Sequence, residues 1–347
     1  MRLAGAISAG AAVILVATCV LFWAHYNSWS EAPVLKDGER ITLIIPHDTA
    51  WPGVVKLMKE QGMIARPRYF DVWARRRDLP KHVKAGNYML EGPLSLEDLD
   101  KTLREGGATE DVLLTIPEGF NIFHIADRVE SLGLCGRDAF LAAARDKELL
   151  EAHDIPGESF EGYLFPDSYR IGKGATPRQI VQTLHAQWDK NWDEIVAEHP
   201  DALEKMENEH ALTRHDIVIL ASIVERETNY APELGLVARV FLNRLERDMR
   251  LQTDPTCVYG DETYDKIPAP KYCKNPLNRY STYIIDGLPP GPISNPGKEA
   301  LEASLVPATG KDAKRYLFFV AKRDGSGAHH FTATFKEHKA AIRKYLK

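Results

Sequence analysis

The stretch that most constrains this chain is an apolar helical segment that ends abruptly in carboxylates, Ile217 to Thr228 (IVILASIVERET). Ile217 to Val224 carry no charge and a single hydroxyl, and Glu225, Arg226 and Glu227 follow at once. A helix apolar all round belongs in a protein interior. Glu225 comes seven residues after Val218, about 20° away on the helical wheel, so its carboxylate emerges along a face of hydrocarbon. Desolvation favours the neutral acid there, and the partial negative charge of a helix C-terminus pushes the same way. A carboxylic acid held protonated near neutral pH suits general acid catalysis. The competing structural reading is a helix-end Glu paired with Arg226 or another arginine. Glu227, two residues on, reads as a partner for Arg226 or Arg244.

With 347 residues, 44% of them hydrophobic, the chain has room for more than one domain. A net charge of −5 argues against a nucleic-acid binder. No GxxxxGK[ST] loop, HExxH motif or zinc-ligand spacing occurs, and neither cofactor nor metal is expected. Gly5 to Trp23 is an uncharged run of 19 residues, the length of a membrane-spanning helix. Arg2 precedes it and Trp23, Tyr26 and Trp29 follow, implying a single pass with the N-terminus in the cytoplasm. A cleavable signal peptide and a lipid anchor on Cys19 are the rivals. The first lacks an A-x-A site and the second has a large Thr18 before the cysteine. Cys257 and Cys273 either form a disulfide in an oxidising compartment or remain thiols.

Residues 24–39 read as a linker. Ile41 to Pro46 reads as a strand, Trp51 to Gly62 and Pro67 to Arg77 as helices, Val83 to Leu90 as a strand, and Ser95 to Glu105 as a capped helix. A second strand-Pro-helix unit begins at Val112 to Pro117 and continues through Asn121 to Leu132. Each resembles part of a βααβ unit of the LysM kind, which binds N-acetylglucosamine polymers. Domain boundaries are expected as 1–4 cytoplasmic, 5–23 transmembrane, 24–39 linker, 40–157 LysM-like and 158–347 catalytic. Helices are expected at 176–198, 201–209, 213 onward, 234–247, 298–305 and 336–346, with a strand at 316–320. Leu251 to Pro296 is long and irregular, as site-lining loops are. Its polar groups and tyrosines suit a sugar cleft.

Several motifs occur together: EGYLFPDSY (161–169), LASIVERET (220–228), VFLNRLERDMRLQTDPTCVYG (240–260) and GLPPGPISNPG (287–297). With IPEG (116–119), KAGNYML (84–90) and the late His330, Phe331, Thr334 and His338, they resemble the MltG/YceG family of endolytic murein transglycosylases. The resemblance implies an α+β fold: one transmembrane helix, LysM-like α/β modules, and a catalytic domain whose buried helix carries the catalytic Glu. In Ser222-Ile223-Val224-Glu225 it assigns that role to Glu225. It implies cleavage of the β-1,4 bond between N-acetylmuramic acid and N-acetylglucosamine, leaving 1,6-anhydro ends, with Glu225 acting first as acid and then as base. Glu161, Gln252, Asp254, Ser281, Thr282 and Tyr283 are its substrate-binding candidates. Glu161 also reads as a salt-bridge or turn-capping residue and Asp254 as a turn former before Pro255. Ser281 stands where the family has Asn. The implied setting is the inner membrane with the catalytic domain periplasmic. Peptidoglycan strands, the membrane and peptidoglycan synthases (penicillin-binding proteins) are the expected partners, and nucleic acid is not. A two-carboxylate muramidase using Asp254 or Glu161, and a non-catalytic peptidoglycan-binding scaffold, are the alternatives.

Overall fold

The computed structural model describes residues 23–45, 49–106 and 111–346. Among them no helix is long and apolar enough to cross a membrane, and the expected span up to residue 22 lies outside them. The chain divides into two compact units, Met1–Asp111 with Gly172–Ala175, and Val112–Ile171 with Thr176–Lys347.

In the first unit, strand β1 (Arg40–Ile45) pairs antiparallel with β2 (Gly86–Glu91), Leu43 opposite Tyr88. β1 alternates as a one-sided strand must: Leu43 and Ile45 are buried while Thr42 and Ile44 are exposed. Helices Trp51–Glu60 and Pro67–Arg76 lie between the strands in sequence, each with a proline in its first turn, where the missing N–H costs nothing. Helix Leu96–Glu105 follows β2, opened by a reciprocal Ser95/Asp98 capping box. Met58, Phe70, Trp73, Tyr88, Leu99 and Leu103 fill the core. The order of elements is thus β-α-α-β, then a third helix.

The second unit begins earlier than expected. The segment 112–157 joins it rather than the first module, because β3 (Asp111–Thr115) pairs with β4 (Ser168–Gly172). The Ile116 N–H continues that edge by donating to the Asp167 carbonyl at 2.8 Å. β4 and the helices Arg137–Ala144 and Lys147–Ala152 have no counterpart in the sequence reading. They run only five to eight residues, too short to show a period.

The centre of this unit is helix Arg214–Glu227, capped by Thr213 with Asp216, and every residue from Ile217 to Val224 is buried. It packs against helices Lys298–Leu305 and Leu234–Leu245. The 22-residue amphipathic helix Pro177–Glu198 packs against Arg137–Ala144 and Lys298–Leu305. Strands β5 (Phe318–Ala321) and β6 (His329–Thr332) form an antiparallel pair followed by helix Phe335–Tyr345. The long loop is stapled by a Cys257–Cys273 disulfide, the paired one of the two cysteine readings.

Gly162 shows how tightly the EGYLFPD segment seats on the buried helix. Its φ is +84°, and a Cβ there would lie 2.6 Å from Pro292 Cγ and 2.8 Å from Val218 Cγ1. Gly162→Ala is expected to cost about 2–4 kcal/mol through combined strain and overpacking. Gly136→Ala, at an ordinary helix N-cap with open space around the Cβ, should cost less than about 1 kcal/mol. Chemical denaturation of the two variants side by side tests this. Equal losses would mean that the close approach carries no weight.

Candidate active site

Three segments meet at the end of the buried helix. Ser222 joins two of them: its Oγ donates to Ile219 O within the helix and accepts the Ile293 N–H at 3.0 Å. Its carbonyl in turn accepts from Ser294 Oγ at 3.0 Å. Asn295 then pairs with the IPEG turn, Gly119 N donating to Asn295 O at 3.0 Å and Asn295 N to Phe120 O at 2.8 Å. Gly119 takes a left-handed φ of +74°, and its carbonyl accepts from Arg226 Nη1 at 3.2 Å. Two residues beyond Asn295, the Gly297 N–H donates to Glu225 Oε2 at 3.0 Å.

Glu225 is half-buried. Burial pushes its carboxyl up to about 7, the Gly297 N–H opposes this, and the neighbouring Glu118 carboxylate adds to it. The hydrocarbon face anticipated desolvation; the opposing amide and the second carboxylate were not anticipated. Among the described residues no basic side chain forms an ion pair with Glu225; Arg226 donates to the Gly119 carbonyl, and its charge opposes the rise only in part. A Cβ on Gly297 would fall 2.0 Å from Glu118 Oε1, so any larger residue there would displace the Glu118 side chain from beside Glu225. The arrangement presents a protonatable oxygen to solvent with one fixed donor behind it, as general acid chemistry requires.

Glu161 lies 2% exposed behind this layer. Its oxygens accept from Ile122 N at 2.9 Å, Tyr259 OH at 3.0 Å and Asn295 Nδ2 at 2.9 Å. Asn295 cannot turn over, because Leu164 N donates to its Oδ1 and its Nδ2 also donates to Phe120 O. Burial pushes the Glu161 carboxyl up to about 8, opposed by the Ile122 N–H, the Tyr259 hydroxyl, the Gly162 N–H and the charge of Arg145. Glu161 therefore holds the 295–297 segment that holds Glu225, and among the described residues it forms no salt bridge.

The remaining candidates occupy a neighbouring layer. Thr253 Oγ1 donates to Glu227, whose carboxyl burial pushes up to about 7. The expected ion pair of Glu227 is not formed: Arg244 donates to Leu317 O and Leu251 O, and Arg226 to Gly119 O. Ser281 and Thr282, expected among the substrate-binding residues, are fully buried and face the loop's own backbone. Ser281 Oγ donates to Cys273 O, and Thr282 Oγ1 accepts from Thr253 N. Both brace the loop. Tyr283 OH donates to Asp254 Oδ1 at 2.6 Å, and Gln252 is exposed in a left-handed turn with its N–H on Thr282 O. Of the candidates, Gln252, Asp254 and Tyr283 keep surface that a ligand can reach. Glu118, Asn295, Gly297 and Tyr259 were missed, although the IPEG, TDPTCVYG and GLPPGPISNPG motifs contain them.

A cavity of about 530 Å³ opens beside Glu161, its walls including Phe123, Arg145, Tyr259, Tyr280 and Pro290 to Pro292. The Tyr259 and Tyr280 rings lie 4.5 Å apart by centroid. As for metals, His153, His185 and Asp189 bring ligand-type atoms within 4.8 Å of one another. His185 Nδ1 is turned to the Tyr163 carbonyl, and none of the three bonds to the Glu225 or Glu161 network.

Glu161→Gln tests that network. Every oxygen of Glu161 faces a donor, so an amide NH₂ meets another N–H whichever way it points. A loss of about 1–3 kcal/mol is expected, with weakened function of Glu225 and no change in the secondary-structure spectrum. A variant as stable as wild type in chemical denaturation would remove the network from its positioning role.

The chain matches the YceG-like family model over residues 43–344. It is 26% identical over 331 residues to a Bacillus subtilis (strain 168) protein named endolytic murein transglycosylase, covering 90% of this chain and 87% of that one. A Streptococcus pneumoniae (strain D39) protein of the same name is 29% identical over 310 residues, covering 81% of this chain and 54% of its own length. This chain thus spans about half of that relative. A crystal structure of a yceG-like protein from Listeria monocytogenes superposes with a TM-score of 0.57 at 29% identity, covering 88% of this chain and 99% of the other. The chain belongs to the YceG-like family.

Proposed function

We propose that this protein is an endolytic lytic transglycosylase of peptidoglycan, cutting the bond between N-acetylmuramic acid and N-acetylglucosamine within glycan strands. The name its bacillary and pneumococcal relatives carry supports the substrate and the reaction class. The observation that carries the mechanism is the state of Glu225: a half-buried carboxyl raised to about 7 and oriented by one backbone N–H. Protonated Glu225 gives its proton to the bridging glycosidic oxygen, and the C1–O bond breaks with that oxygen leaving as a hydroxyl. The C6 hydroxyl of the muramic acid attacks C1 and passes its proton to the carboxylate just formed. Glu225 is regenerated, no water is consumed, and a 1,6-anhydro end remains. One carboxyl group performs both transfers, where ordinary glycosidases use two.

In the same reading the chain is a single-pass inner-membrane protein held by residues 5–23, with its catalytic unit in the periplasm. It works beside peptidoglycan synthases, terminating strands as they grow. The β-α-α-β order of the first unit, with antiparallel outer strands, supports a LysM-like role in holding glycan.

A hydrolytic muramidase is the second reading, and one observation favours it: Glu118 is an exposed carboxylate whose charge bears on Glu225. It displaces Asp254 and Glu161 as the second acid, since one bonds Tyr283 and the other is buried. Mass spectrometry of digested sacculi separates the two. Anhydro-muramic ends are expected from wild type and are lost, by a factor of about 10³ or more, in Glu225→Gln. Reducing muramic ends would establish hydrolysis, and a wild type that releases nothing would leave a binding scaffold.

The acid must be protonated to act, so kcat/KM is expected to fall as pH rises through about 7. A rate that climbs steadily from pH 6 to 9 would exclude Glu225 as the initial proton donor.

A further inference from the structure

The cavity beside Glu161 is lined by Arg145, a cation that makes no hydrogen bond or ion pair among the described residues. Its other charges are engaged: Arg279 bonds Glu158 at 2.5 Å, and both oxygens of Glu161 are taken by Ile122, Tyr259 and Asn295. His215 Nδ1 faces the Tyr163 hydroxyl at 2.8 Å. Arg145, just beyond the helix Arg137–Ala144, is exposed, and among the described residues its guanidinium makes no hydrogen bond or ion pair. Its Cζ lies 5.6 Å from the Phe123 ring centroid, and its charge also bears on the nearby Glu161 without forming an ion pair. The adjacent Asp146 does not neutralise it, because that carboxylate caps the next helix at Leu149 N and pairs with Arg178. A guanidinium fixed over a ring and left with free N–H groups is suited to a carboxylate, which it can grip with two parallel bonds.

The cavity also has a defined relation to Glu225. Its wall at Pro290 to Pro292 runs straight into Ile293 to Gly297, the segment whose last amide holds Glu225. Glu161 stands in the same wall and is tied to that segment through Asn295. A glycan strand with one bond at Glu225 extends both ways, and each muramic acid carries a peptide on its lactyl group. Those peptides supply the carboxylates of an otherwise neutral polymer.

We propose that this cavity is a stem-peptide subsite, in which Arg145 takes a peptide carboxylate while Tyr259 and Tyr280 line its path. The proposal rests on the transglycosylase reading and adds a specificity to it: the enzyme distinguishes peptide-bearing strands from bare glycan.

The test uses wild type, Arg145→Gln and Arg145→Lys on two substrates, glycan strands bearing peptides and the same strands stripped by an amidase, which leaves a free lactyl carboxylate on each muramic acid in place of the peptide; a loss shared by both substrates would assign Arg145 to that carboxylate or to the glycan and not to the peptide. Equal melting temperatures establish that the variants fold. Arg145→Gln is expected to lose roughly 10-fold or more in kcat/KM on peptide-bearing strands, mainly through KM. It should match wild type on stripped strands, and Arg145→Lys should recover part of the loss. Arg145→Gln equal to wild type on both substrates, or reduced equally on both, would overturn the subsite. A wild type inactive on both would instead overturn the transglycosylase reading, so the two failures are distinguishable.

Discussion

The site depends on a helix that can lie nowhere but in the interior. Ile217 to Val224 offer no polar face and are all buried, so beyond its first turn the helix Arg214–Glu227 meets water again only at its last turn. Everything that shapes the site is fastened to that turn. Ser222, the one polar side chain in the run, satisfies a helix carbonyl and holds the 293–294 backbone through its Oγ and its own carbonyl. A buried hydroxyl has to find partners, and here those partners bring the second segment of the site into register.

Three glutamates within this unit have their carboxyls raised by burial, and their surroundings separate them. Glu161 meets three donors and is almost wholly buried, so it is a structural acceptor. Glu227 is tied to Thr253 in the loop layer. Glu225 has one donor and an open side. Desolvation alone does not distinguish a reactive acid from a structural one; the number of donors and the exposure of the remaining oxygen do.

Much of this was legible from residue order. The buried helix, its Thr213/Asp216 cap and the position of Glu225 follow from periodicity and composition, because a long apolar run with a capping box has few alternatives. The strands and helices of the first unit were legible for the same reason. What escaped was short or non-local. Helices Arg137–Ala144 and Lys147–Ala152 are too brief for a period, and β4 is recognisable only through its pairing with β3, more than fifty residues earlier. The Gly297 amide, the Asn295 fork and the closeness of Glu118 join residues distant in sequence, so composition carries no trace of them. Ser281 and Thr282 misled because a hydroxyl in a polar loop has the same letter whether it faces a sugar or a neighbouring backbone N–H.

The donor that orients Glu225 is a main-chain amide, and the links that place it run through the backbone of residues 293 to 297. Side chains lining the nearby cleft can therefore change, retuning which strands are accepted, while the N–H behind the acid stays where it is. A change in chain length is different. One residue gained or lost between Ile293 and Gly297 would carry the amide past Glu225 whatever letters were inserted. Along this loop, substitution is a means of adaptation, and insertion or deletion is a barrier.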